Sequence, residues 1–158
     1  MKLDHILNLI PHKTAFAHCD IPCGIYDVHR MQLAAHTVLR MTDLLALVKR
    51  EDETKAEHDI SRVTHVKEEH SDILEEELST LQDDYFKGDY SKFQELEELF
   101  EKAKKLGTKA RVGIDKQACE ELLETVMQIA EIFYKSKDVE FARVKSVYPT
   151  EKEIVVQK

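Results

Sequence analysis

The chain has 158 residues, with 31 Asp and Glu against 23 Lys and Arg and a net charge of −8, which argues against nucleic acid as a general partner. No apolar run approaches the roughly 20 residues that a membrane span needs, so the sequence reads as soluble and without a membrane role. Four Gly, three Pro and no Trp among abundant Leu, Glu and Lys favour helices in one domain long enough to bury a real core.

Residues 1–17 read as a leader. Leu3, Ile6, Leu7 and Ile10 fall at helical spacing and Pro11 ends the pattern. Ala15-Phe16-Ala17 has the small-x-small shape of a secretory cleavage site, but the apolar stretch is short and Asn8 interrupts it. The reading is a cytoplasmic pro-segment, with export as the alternative.

Next comes His18-Cys19-Asp20-Ile21-Pro22-Cys23-Gly24-Ile25-Tyr26-Asp27, which holds two of the three cysteines. If the peptide bond before His18 is cut, the freed α-amine, the Cys19 amide nitrogen and the Cys19 thiolate can close fused chelate rings around one metal. The Cys23 thiolate would complete the plane, and the His18 imidazole would reach an axial position. Pro22 favours a compact turn between the cysteines, and Gly24 lets the chain leave at positive φ. A four-coordinate nitrogen and sulfur plane suits Ni(II) or Cu(II), whereas zinc prefers a tetrahedron. Thiolate and amidate donors release electron density and make a trivalent state accessible, so one-electron cycling is within reach. From spacing alone, metal binding and a structural disulfide stay about equally open. Zinc would need two more ligands, and a radical-SAM cluster would need a cysteine where Tyr26 stands.

Asp27 reads as the N-cap of a first helix, whose apolar stripe of Met31, Ala34, Ala35, Val38, Met41, Leu45 and Val48 runs to about Lys49. Arg50 to Glu57 is the expected connection. A second helix follows from about His58 to Phe86, broken by Gly88-Asp89. The third carries Phe93, Leu96, Leu99, Phe100, Ala103 and Leu106, with Gly107 as its expected stop. Asp115 caps the fourth, which runs to about Lys137 and is apolar on two sides; the second side, Leu123, Met127 and Ala130, is expected against a partner. The fold class is therefore all-α, an antiparallel up-and-down four-helix bundle over 28–137 behind an N-terminal metal-binding hook at 18–27. Residues 138–158 turn β-prone and carry no assigned role. Cys119 reads as a small core residue. A bundle-core metal site is not indicated, because the sequence has neither the Glu-x-x-His tetrad of di-iron proteins nor His-Glu-x-x-His.

The hook residues closely resemble the start of mature nickel superoxide dismutases, His-Cys-Asp-x-Pro-Cys-Gly-x-Tyr-Asp. Asp84-Tyr85-Phe86-Lys87 is similar to that family's Asp-Tyr-Phe-Lys segment late in its second helix, and the resemblance spans about 18–137. It implies dismutation of superoxide to dioxygen and hydrogen peroxide by a nickel ion cycling between divalent and trivalent states. His18, Cys19 and Cys23 are the implied metal ligands. Asp20 and Tyr26 are implied to position the hook and shape the approach, and Lys87 to supply local positive charge. A homohexamer and a maturation protease that frees His18 are implied as well. Some positions depart from the family: Val28 stands where proline is usual, and Ala34 and His70 stand where a glutamate and an arginine hold the axial imidazole. His36 is near enough in sequence to be a substitute. The rival readings are a nickel or copper carrier without turnover, and a helical interaction protein with a disulfide-closed N-terminus. Neither rival needs Tyr26-Asp27 or the distant Asp-Tyr-Phe-Lys.

Overall fold

The computed structural model of the protein describes residues 23–158. The leader and His18, Cys19 and Asp20 of the hook lie outside the described residues. The described residues form four α-helices and a hairpin: α1 His29–Ala46, α2 Glu53–Ser79 continued by a π turn Thr80–Tyr85, α3 Glu95–Val112, α4 Lys116–Ser136, β1 Phe141–Lys145 and β2 Glu153–Gln157. Among them no helix is long and apolar enough to cross a membrane.

Each helix start has a local cause. At α1 the first helical residue is His29, and the Asp27 carboxylate accepts the Val28 amide at 2.6 Å and the His29 amide at 3.3 Å, so it caps from one residue farther out than expected. The second helix begins at Glu53, because the Asp52 carboxylate accepts the Lys55 amide at 3.0 Å. That corrects the connection placed at Arg50–Glu57, whose second half is helical. Asp115 caps α4 by accepting the Ala118 amide at 3.0 Å, as the sequence indicated.

Gly107 does not end the third helix. The helix continues to Val112 and stops at Gly113, whose extended backbone has φ −106° and ψ 169°. A mid-helix glycine costs on the order of 1 kcal/mol against alanine. Burial of Ala103 on one side of it and Ala110 on the other, both 0% exposed, outweighs that preference. The buried Lys67 ammonium donates to the Gly113 carbonyl, closing the α3 end from α2.

The core runs along the interior faces, with Met31, Leu39, Leu78, Phe100, Leu122 and Ile129 among its buried side chains. α1 packs on α2 and α4, and α4 also packs on α3 and β2. This placement of α4 corrects a second expectation. Its second apolar side, Leu123, Met127 and Ala130, is buried within the same chain, because α4 is surrounded by three other elements. Cys119 is also buried, with its sulfur 3.4 Å from the Thr42 hydroxyl.

The residues beyond 138 form an antiparallel hairpin with Arg143 opposite Val155. Val155 is 1% exposed and joins the core. Arg143 lies along α4 and pairs with Glu124 at 2.8 Å and Glu131 at 2.5 Å, a spacing of two helical turns that matches its reach. His36 fastens the turn end: its ring meets the Thr150 hydroxyl at 2.7 Å and the Glu153 carbonyl at 3.1 Å.

That contact makes a pH prediction. The carbonyl needs a donor, so Nε2 carries the proton and neutral Nδ1 accepts from Thr150. Burial pushes the His36 pKa below its ordinary value of 6.5, only partly offset by the Glu153 carbonyl. In the window below the ordinary value, the unfolded chain binds a proton that the folded chain refuses. Stability contributed by His36 is therefore present above that value, falls as pH drops through it, and levels off below the folded pKa. Thermal midpoints of parent and His36→Gln, compared between about pH 7.5 and about pH 5, should show a steeper acid decline for the parent. Parallel curves would remove His36 from the account.

Candidate metal centre

The described part of the hook begins with Cys23, a free and exposed thiol. Gly24 follows at φ +72° with nothing within 4 Å of where a Cβ would stand, so its requirement for glycine comes from the backbone turn and not from crowding. Ile25 is 82% exposed. The chain is then pinned at Tyr26, whose ring sits 5.3 Å from that of Tyr85 at an interplanar angle of 55°.

Tyr85 belongs to an aromatic platform. It packs on Phe86 at 4.7 Å and Phe133 at 5.0 Å, and its hydroxyl meets the Ser136 hydroxyl at 2.7 Å. The π turn produces this presentation. The Phe86 amide bonds the Leu81 carbonyl at 2.9 Å, one residue farther back than an α-helix reaches. The extra residue shifts the phase of the last turn. Lys87 then takes φ 56° and stands exposed at the end of the turn. The Lys137 ammonium, missed in the sequence, lies 5.4 Å from the Tyr85 ring centre and 4.7 Å from that of Phe133. No local pattern marks it, since its partner rings include one 52 residues earlier in the chain.

The structure thus brings Tyr26 against the Asp84–Lys87 stretch, the two motifs that sequence alone left far apart. Other expected groups go elsewhere. Ala34 is 1% exposed in the core. His70 is half-buried and its Nδ1 bonds the Val66 carbonyl of its own helix at 2.9 Å. His36 is committed at both nitrogens to the hairpin, which corrects its reading as a substitute at the hook. Arg30 at the start of α1 instead pairs with Glu77 late in α2 at 2.6 Å.

Among the described residues, no group of three or more His, Cys, Asp or Glu is placed to hold a metal ion. Of the ligands expected at the hook, Cys23 is the one among the described residues. An exposed thiol is the soft donor that a nickel site uses, and Cys23 sits one residue from the Gly24 turn and three from the anchored Tyr26 ring. The residues present fit the metal.

The fold is a four-helix bundle preceded by a segment that carries an exposed thiol, a donor type suited to a soft metal ion. The sequence matches the family of nickel-containing superoxide dismutases over residues 13–137. It is 30% identical over 128 residues to the superoxide dismutase [Ni] of Streptomyces coelicolor, covering 80% of this chain and 93% of the relative. It has the same identity and coverage with that of Streptomyces seoulensis. The native nickel superoxide dismutase structure at 1.30 Å aligns with a TM-score of 0.66 and 29% identity, over 76% of this chain and 99% of that one. A structure whose nickel ligation corresponds to the oxidised state gives 0.67 and 29%, over 77% and 99%. The chain belongs to the nickel-containing superoxide dismutase family.

Proposed function

We propose that this chain is a nickel-dependent superoxide dismutase whose centre is assembled by the hook once residues 1–17 are removed, with His18, Cys19 and Cys23 as ligands. Its substrate is superoxide and its cofactor is nickel. When bound, nickel supplies one-electron chemistry between its divalent and trivalent states, converting one superoxide to dioxygen and the next to hydrogen peroxide. The chain's own residues bind, place and shield. Cys19 and Cys23 offer thiolates, and His18 offers its amine and imidazole. Asp20 and Tyr26 hold the hook's shape and its approach. Lys87 answers a charge problem: the protein is net negative and repels an anionic substrate unless its field is inverted locally.

The observation that carries this reading is the seating of Tyr26 on Tyr85, which fixes the segment bearing Cys23 beside the turn bearing Lys87. The finer parts of the reading are a cytoplasmic location, a maturation protease and a homohexamer. Exposed Ile25, two residues past Cys23, supports a neighbouring subunit as the wall that shields the hook.

The test compares the chain beginning at His18 with the full-length chain, both loaded with nickel anaerobically and assayed for superoxide dismutation. Activity in the shortened form alone is the expected result. Equal nickel binding without turnover in both would favour a carrier, and no nickel in either would overturn the site.

A further inference from the structure

The hairpin lies beyond the family match, which ends at residue 137, yet it is built into the end of α1 from which the hook departs. Strand β2 runs along α1 in step with it. Glu153 meets His36 through its carbonyl. Two residues on, Val155 meets Gln32, accepting from Nε2 at 2.9 Å and donating to Oε1 at 2.7 Å. Two strand residues rise about 6.7 Å and four helical residues about 6 Å, so the contacts stay in register from His36 to Gln32.

Gln32 is the joint. It is 1% exposed, and its carboxamide completes the outer edge of β2 as a neighbouring strand would. The same Nε2 lies 3.3 Å from the Val28 carbonyl, at the residue that follows the last hook position. Tyr134 adds a second tie, its ring stacked on Phe141 of β1 at 6.2 Å and 19°.

We propose that the C-terminal hairpin is a brace for the metal-binding segment, with Gln32 and Tyr134 as positioning residues that fix where the hook leaves the bundle. The inference rests on the nickel reading above. A ligand segment held at its root re-forms the same donor geometry after each fluctuation, and groups that orient ligands typically contribute about 10–100-fold in metal affinity.

The experiment uses the whole chain from His18, nickel-loaded, in parent form and as Gln32→Met, Tyr134→Leu and Ala110→Gly. Gln32→Met keeps the volume and removes both strand bonds, whereas Tyr134→Leu removes the ring that stacks on Phe141 of β1. Ala110→Gly weakens the buried opposite end of the bundle and serves as the stability control. Two quantities are read: the rate at which nickel passes to a colorimetric chelator such as pyridylazoresorcinol, and hydrogen exchange of the amides of residues 24–30 in the metal-free protein. Gln32→Met and Tyr134→Leu should release nickel roughly tenfold faster and exchange faster at the hook base, with Ala110→Gly matching the parent in both. If Ala110→Gly accelerates release and exchange as much as the other two do, or if they leave both unchanged, the hairpin is only a stabiliser and the proposal falls. Failure of the parent to bind nickel, with hook-base exchange still accelerated by Gln32→Met, would remove the metal reading and leave the brace standing.

Discussion

Cys23→Ser should abolish nickel binding and dismutation while leaving the fold of the metal-free protein intact. The side chain is exposed, so the substitution empties no packed volume and the thermal midpoint should not move. The chemistry changes completely. A thiol gives up its proton to a metal and becomes a soft anionic donor. A serine hydroxyl stays protonated and hard, and it does not supply the electron density that makes a trivalent state accessible. The loss should exceed the ~10–100-fold attached to groups that merely orient a ligand. Cys119→Ser is the control and should retain bound nickel. Equilibrium dialysis and a superoxide assay on the two variants decide the matter, and full activity in Cys23→Ser would move the donor set away from the hook.

The second large effect is on stability. Phe100→Ala should destabilise the protein by about 3–5 kcal/mol, as truncation of a fully buried aromatic does, and lower the thermal midpoint by roughly 10 °C for a chain of this size. Phe100 is 0% exposed and its ring lies 6.1 Å from Phe86 and 6.3 Å from Tyr90. It therefore underpins the turn that carries Lys87, and substrate capture should weaken as the fold does. Urea denaturation measures the first effect and the ionic-strength dependence of kcat/KM the second. A change below about 1 kcal/mol would mean that the site collapses around the gap with little penalty.

The sequence made the helices legible because their information is local. Stripes at helical spacing located all four, and Asp115 stood where the structure uses it. Errors came where distant contacts overrode local signals. Gly107 read as a stop because a lone glycine usually weakens a helix, and burial of Ala103 and Ala110 carried the helix past it. The start at Glu53 was hidden because the stretch before His58 is charged, although the Asp52 cap was in plain view. The π turn leaves no periodic trace, since one inserted residue looks like noise in the stripe. The hook was read through its resemblance to a family, since spacing alone left a metal site and a disulfide about equally open, and its first residues lie outside those described. The hairpin was readable as β-prone, but its docking depends on Gln32 and Val155, 123 residues apart, and nothing local links them.

Cys119 gains meaning from the product of the reaction. Hydrogen peroxide oxidises thiolates far faster than thiols, and burial pushes the Cys119 thiol above its ordinary pKa, against smaller opposing contributions from the Thr42 hydroxyl and Lys67. The bundle's interior sulfur is thus kept in its inert form and out of contact with solvent. Oxidative wear should therefore fall first on the exposed Cys23, in the segment proposed to bind the metal. The scaffold can outlast its own catalytic centre, and inactivation under sustained turnover should be read as damage to a few residues on a framework that is still folded.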